Sequence, residues 1–291
     1  MSEAKQYTTK NGRTYHNETE VPYMLPTDSK EIPRLFRQHE ALKGILDGRF
    51  KAPLQDKLEA GITVLDSGCG PGAWLLDMAN TYKNSQFHGI DINTDHFLKE
   101  GIPANAHFVL GDLAENIPYP ENTFDFIYQR LLILGLTTKQ WESNLQELYR
   151  VLKPGGYIEL SEIDCTIMHT YGHFFKKLQE ATDICQRARG TRPHIAVELF
   201  ERANKAGFIN VKDNIISKPF CHGGEIGELT RFHIISAHKS FGPHLADIVP
   251  EWKEDDVYQE HIKNCEIEAA NNKVYARWNV VTAQKPIDKA K

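Results

Sequence analysis

Val64-Leu65-Asp66-Ser67-Gly68-Cys69-Gly70-Pro71-Gly72 is the stretch on which the reading of this chain turns. An apolar run that closes on an acid and then places three glycines at alternate positions reads as a strand entering a tight turn. Residues 74–82 follow with helical spacing, so the turn opens a helix. Glycines here let the backbone approach a ligand closely, and a helix N-terminus offers free N–H groups. A plain strand-to-helix connection in any α/β protein has the same local form, so the turn alone names no ligand.

Outward from the turn, short apolar runs alternate with helical segments. Strands are expected at 62–66, 87–91, 107–110, 124–129 and 157–163, with helices at 74–82 and 138–152 between them. In the second helix Trp141, Leu145, Leu148, Tyr149 and Leu152 form the stripe to be buried, and Lys153-Pro154-Gly155-Gly156 ends it with a turn. Such alternation predicts an α/β fold, Rossmann-like and doubly wound, with a mostly parallel sheet covered by helices on both faces. Farther on, 193–207 reads as helix, 209–216 as strand, and 274–284 as a last strand. Helical insertions are expected at 166–192 and 224–273, a place where α/β enzymes often cover the site at the strand ends, or else a surface decoration or oligomer interface.

Before the turn, residues 1–22 read as a flexible tail and 23–50 as an N-terminal helical segment. Asp28, Ser29 and Glu31 place negative charge at the start of that helix, Pro33 suits its first turn, and Gly48 its stop. The expected organisation is one domain over 23–291, with a cofactor-binding core at 60–165 and a last strand at 274–286.

Composition bounds the partners. The 291 residues carry 34 Lys and Arg against 39 Asp and Glu, a net charge of −5, so the bulk basic footprint of a nucleic-acid binder is absent. The longest apolar run, around residues 131–136, is far short of the roughly 20 residues of a membrane helix. The polar, acid-containing start fits neither a secretory signal nor an organelle presequence. The five cysteines, Cys69, Cys165, Cys185, Cys221 and Cys265, form no C-x-x-C pair and suit reduced thiols in a cytoplasmic protein.

The turn leaves two nucleotides open. Gly68, Gly70 and Ala73 satisfy the relaxed dinucleotide fingerprint, and Asp91 closes the second strand about 20 residues on, where a carboxylate can accept both hydroxyls of a ribose. Against a pyrophosphate stand Asp66, suited to face an ammonium group, and Pro71, which lacks a backbone donor. Gly111-Asp112-Leu113 then places a second acid where an adenine amino group could sit.

Asp66-x-Gly68-x-Gly70-x-Gly72, Asp91, Gly111-Asp112, the strand Phe124-Asp125-Phe126-Ile127 and Leu152-Lys153-Pro154-Gly155-Gly156 are similar, in order and spacing, to class I S-adenosylmethionine-dependent methyltransferases. Ala206-Gly207-Phe208 before a strand extends the likeness. That resemblance implies S-adenosylmethionine as cofactor and a seven-stranded sheet whose last strand runs antiparallel. It further implies Asp66 and the glycine backbone at the methionine part, Asp91 with Ile92 at the ribose, Asp112 with Leu113 at the adenine, and Gln129 beside the methionine. Tyr23-Met24-Leu25-Pro26-Thr27-Asp28, Glu31, Arg34-Leu35 and Gln38-His39 resemble the leading segment of the fungal LaeA/UMTA-like methyltransferases, with Thr27 where Asn is usual. By that likeness the segment folds over the cofactor, making Tyr23, Arg34 and His39 contacts of cofactor or substrate; ordinary helix positions would account for Arg34 and His39 equally well.

Methyl transfer needs alignment of the nucleophile, exclusion of water and, for an amine or hydroxyl, a route for its proton. Acceptor-side candidates lie after the fourth and fifth strands: Tyr128, Gln129, Arg130, Glu162 and Asp164, then His169, Tyr171 and His173, with His222 and His233 in the later insertion. Of these, Glu162, His169, His173 and Tyr171 are the catalytic candidates, although a chain with 13 histidines places several near any site by chance. Cys221-His222 with His233 and His238 matches no common zinc spacing, so no metal is expected. Tyr128-Gln129-Arg130-Leu131 is not the Asn/Asp-Pro-Pro-Tyr of enzymes that methylate exocyclic or amide nitrogens, and no paired-glutamate loop of the protein-arginine type occurs. The expected function is methyl transfer to a small molecule. The alternatives are a LaeA-like regulator acting through protein partners, in the nucleus as well as the cytoplasm, and an NAD-dependent oxidoreductase.

Overall fold

The computed structural model describes residues 7–16 and 22–287. Two short antiparallel strands, β1 (Tyr7–Lys10) and β2 (Arg13–His16), form a hairpin apart from the main sheet. The main sheet comprises β3 (Thr63–Ser67), β4 (Gln86–Asp91), β5 (Ala106–Leu110), β6 (Phe124–Arg130), β7 (Leu152–Ile163), β8 (Ile209–Pro219) and β9 (Tyr275–Gln284). Its order is β5-β4-β3-β6-β7-β9-β8. The first five strands are parallel, and β9 lies antiparallel between β7 and β8. This is the expected mostly parallel, seven-stranded sheet with an antiparallel last strand.

β3 sits at the point where the winding reverses, with β4 on one side and β6 on the other. Asp66 near its end is in register with Gly89 of β4 and Tyr128 of β6. In open α/β sheets the crevice beyond the strand ends at such a switch point is where ligands bind.

Eight helices accompany these strands among the described residues: α1 (Glu31–Ile45), α2 (Gln55–Ala60), α3 (Ala73–Thr81), α4 (Thr138–Val151), α5 (His173–Ala188), α6 (Leu199–Lys205), α7 (Glu225–Leu245) and α8 (Asp255–Asn271). Local chemistry explains their bounds. Thr137 and Gln140 form a reciprocal capping box at the start of α4, and Trp141, Leu145, Leu148 and Val151 are its buried face. Two apolar clusters lie on opposite faces of the sheet, with Leu65 and Ile127 in one and their strand neighbours Val64 and Phe126 in the other. No helix of the described residues is long and apolar enough to cross a membrane.

Three expectations change. The tail expected over 1–22 contains the β1–β2 hairpin, which packs onto the body: the Tyr15 hydroxyl donates to the Ser240 carbonyl, Lys10 pairs with Asp247, and Arg13 with Asp28 and Glu31. Residues 1–6 and 17–21 of that tail lie outside the described residues. The turn expected at Lys153-Pro154-Gly155-Gly156 is instead the irregular start of β7, where register with β6 shifts between Phe124 and Phe126 and Gly155 takes a φ of +75°. The helix expected over 193–207 is split into a 3-10 turn, Ile195–Glu198, and α6.

Candidate cofactor site

A cavity opens beyond the C-terminal ends of β3, β4 and β6. Asp66, Gly68, Cys69, Gly70, Pro71, Asp91, Ile92, Asp112 and Leu113 line it, so most of the residues singled out in the sequence are brought together. From the leading segment and α1 come Tyr23, Leu25, Leu35 and Gln38, and from α7 His233 and Ala237. A largely apolar wall, Leu131 to Leu136, follows Arg130 at the end of β6.

The glycine turn is held by its own hydrogen bonds. Gly68, Gly70 and Gly72 have φ values of +73°, +54° and +84°, which side chains other than hydrogen adopt only with strain. The amides of Gly68 and Cys69 both donate to the Ile90 carbonyl, Gly72 donates to Cys69, and Gly70 donates to Asp91 Oδ2 at 2.9 Å. The free N–H groups expected at the turn are thus engaged, and they leave little for a phosphate. A Cβ on Gly72 would meet the Phe108 ring at 2.4 Å, whereas a Cβ on Gly70 would meet nothing within 4 Å. Gly72 is therefore needed for packing against β5, while Gly70 keeps space clear in the cavity.

Asp66 is buried, and its Oδ2 has no hydrogen-bond partner. Burial pushes its carboxyl up to about 7, with help from the nearby Asp91 charge, while Arg130 and the Leu75 amide act in the opposite direction. An unpartnered buried carboxylate facing a cavity calls for a cationic group. Asp91 uses its other oxygen to accept the Asn93 amide, and Asn93 Nδ2 is buried and unpartnered.

A family model for a methyltransferase domain matches residues 64–156. The chain is 31% identical over 195 residues to N-methyltransferase verN of Clonostachys rogersoniana, covering 65% of this chain and 66% of that protein. It is 32% identical over 221 residues to secondary metabolism regulator LAE1 of Cochliobolus heterostrophus, covering 72% of this chain and 70% of that protein. The chain belongs to the class I S-adenosylmethionine-dependent methyltransferases. A SAM-dependent methyltransferase structure from Methanosarcina mazei shares the fold, with a TM-score of 0.51 at 16% identity over 82% of this chain and 100% of that one.

The donor set of this methyltransferase fits S-adenosylmethionine. The orphaned Asp66 carboxyl suits an ammonium group, and the engaged turn amides disfavour a pyrophosphate. An antiparallel β9 inside the sheet is also not the strand pattern of a dinucleotide-binding domain.

Not every sequence candidate reaches the cavity. Gln129 is fully buried, with its Oε1 accepting the Ser67 hydroxyl at 2.8 Å, and it does not line the space. Gly111 instead packs against Ile90 and Pro118. Arg34 donates to Glu31 at 2.6 Å and reaches Ser236. His39 bridges Arg130 and Asp77, and so touches the cavity only through Arg130.

The catalytic candidates are placed elsewhere. Glu162 accepts the amides of Leu132 and Ile133 at 2.6 and 3.2 Å, which anchors the apolar wall from behind, and burial pushes its carboxyl up to about 8. The Tyr171 hydroxyl donates to the Tyr275 carbonyl within the core. His169 pairs with Asp183, and His173 begins α5 with its ring against Phe174. None of the four lines the cavity. Tyr128 stacks on Trp74 at 4.0 Å, Asp164 caps the following turn and pairs with Arg277, and His222 bonds to the Val274 carbonyl.

His233 alone of the histidines beyond β7 is in the cavity lining. Its Nδ1 is buried without a partner, and burial together with Arg34 and Arg130 pushes the ring down to about 3, so it is neutral. Gln38, named above only within the leading-segment likeness, is in the polar lining, and Asn93, His96 and Gln140 complete it without having been singled out in the sequence. These three come from helices and turns whose approach depends on packing, with no motif to mark them.

Proposed function

We propose that this methyltransferase acts on a small, largely apolar molecule. The observation that carries this reading is the shared cavity: the wall of Leu131 to Leu136, with Leu35, Ile163 and Ala237, is continuous with the acids and glycines of the cofactor side. Small-molecule sites have this character, mostly apolar with a few placed polar groups. The name of the Clonostachys relative supports nitrogen as the acceptor atom.

In this reading Asp66 and the backbone around Gly68 and Gly70 hold the amino-acid end of the cofactor, Asp91 with Ile92 the ribose, and Asp112 with Leu113 the adenine. Tyr23 closes over them from the leading segment. When bound, the cofactor supplies a methyl group already activated on a sulfonium. The chain's own residues then exclude water and orient the acceptor. With its proton on Nε2, neutral His233 offers Nδ1 as a hydrogen-bond acceptor to an incoming amine. Arg130 brings a cationic group to the cavity, and its charge favours the ionised form of Asp66 against the burial that raises that carboxyl.

The test is release of S-adenosylhomocysteine by the purified protein, compared between a protein-free small-molecule extract and a dialysed protein extract. Release in the first, absent in Asp66→Ala, is the expected outcome. Release confined to the second would move the acceptor to protein. No release in either, with the cofactor still bound, would favour the second reading, a regulator acting through protein partners, which the likeness to LAE1 supports.

A further inference from the structure

His169, Asp183 and His194 come together away from the cavity. His169 belongs to the 3-10 turn after β7, Asp183 to α5, and His194 directly precedes the 3-10 turn Ile195–Glu198. His169 Nε2 lies 3.2 Å and His194 Nε2 3.6 Å from the same oxygen, Asp183 Oδ2. One ligand atom from each residue lies within 4.8 Å of the others.

We propose that these three side chains form a binding site for a divalent transition cation of the zinc type. Metal–ligand bonds of 2.0–2.1 Å at tetrahedral angles set neighbouring ligand atoms about 3.4 Å apart. The two measured distances bracket that edge. Two imidazoles and one carboxylate are a common donor set for such cations, with a remaining position for water. The carboxylate is also held from behind: Gln179 Nε2 donates to the other Asp183 oxygen at 2.7 Å. His194 Nε2 is itself buried without a hydrogen-bond partner, although the side chain is partly open to solvent.

A second cluster, His39 with Glu40 and Asp77, has similar spacing but a different charge balance. Asp77 already pairs with Arg49 at 2.8 Å and Lys43 at 3.2 Å, so a cation there would displace cations. Asp183 has no lysine or arginine partner among the described residues.

The test uses the full chain, stripped with a chelator and dialysed, then titrated with zinc by calorimetry and with cobalt by visible absorption. One zinc per chain is expected, with a tetrahedral cobalt band and a raised melting temperature. His194→Ala, at a partly exposed position, should keep the melting temperature of the metal-free protein yet bind zinc at least about 100-fold more weakly. Asp183→Asn should lose the cobalt band. Absence of zinc binding below millimolar concentration, or undiminished binding by His194→Ala, would overturn the proposal.

Discussion

The Gly70 amide donates to Asp91 Oδ2 at 2.9 Å, joining the glycine turn to the end of β4. The other Asp91 oxygen accepts the Asn93 amide at 2.8 Å, so one carboxylate shapes the turns after both strands. Asp91→Ala removes both bonds at once. A hydrogen bond to a charged group contributes about 1.5–3 kcal/mol. Calorimetry should therefore show S-adenosylhomocysteine binding weakened by more than about tenfold, with a lower melting temperature. An unchanged dissociation constant would remove Asp91 from the proposed cofactor contacts.

Asp66 makes binding depend on pH in a defined direction. Its carboxyl is raised from 3.8 to about 7 in the free protein, and an ammonium group at its unpartnered oxygen would hold it ionised. Binding is thus strongest above 7 and weakens as the carboxylate takes up a proton. The dissociation constant of S-adenosylhomocysteine should be about tenfold larger at pH 6 than at pH 8. Stability of the free protein runs the opposite way with pH: the folded carboxyl keeps a proton that the unfolded one, near 3.8, has released. Its contribution is lost as pH rises through about 7. Asp66→Asn should consequently flatten the binding profile and raise the melting temperature of the ligand-free protein at pH 8.

How much of this was legible before the structure depended on how local each cause is. Strands β3 to β7 and the acids near their ends are visible because parallel strands carry apolar runs punctuated by turns. The β1–β2 hairpin escaped because its four-residue strands are polar, and its anchor is remote: Tyr15 meets Ser240, 225 positions along. Arg130 and His233 were visible only as candidates, because α1 and α7 must pack together before both face one cavity. The motif also could not reveal that Gln129 serves Ser67, since in a buried strand the pleat decides which face a side chain takes.

The two glycines flanking Pro71 separate stability from binding. At Gly72 a Cβ would sit 2.4 Å from the Phe108 ring on a backbone of φ +84°, so Gly72→Ala should cost about 2–4 kcal/mol. Phe108→Ala in the same chain should return part of that loss of melting temperature. At Gly70 the Cβ has open space, so Gly70→Ala should cost about 1 kcal/mol of backbone strain. Because that space is the cavity, binding of S-adenosylhomocysteine should fall more than stability does. Equal effects of the two substitutions on both measurements would contradict this division.

His39 links the cavity to a surface ion pair through its two ring nitrogens. Its Nδ1 lies 3.1 Å from an Arg130 nitrogen, and its Nε2 lies 3.0 Å from Asp77 Oδ2. Arg130 is always a donor, so Nδ1 accepts and Nε2 carries the proton toward Asp77. That tautomer is neutral, in keeping with burial and the Arg130 charge, which push the ring below its usual range. His39 therefore acts by positioning Arg130, and Arg130 in turn lowers the Asp66 carboxyl. Releasing Arg130 by His39→Ala should weaken S-adenosylhomocysteine binding several-fold and move the midpoint of its pH profile above 7. Arg130→Ala should do the same, and the double variant should be no worse than Arg130→Ala alone, because both changes remove one interaction. If the two losses add instead, His39 reaches the ligand by a route other than Arg130.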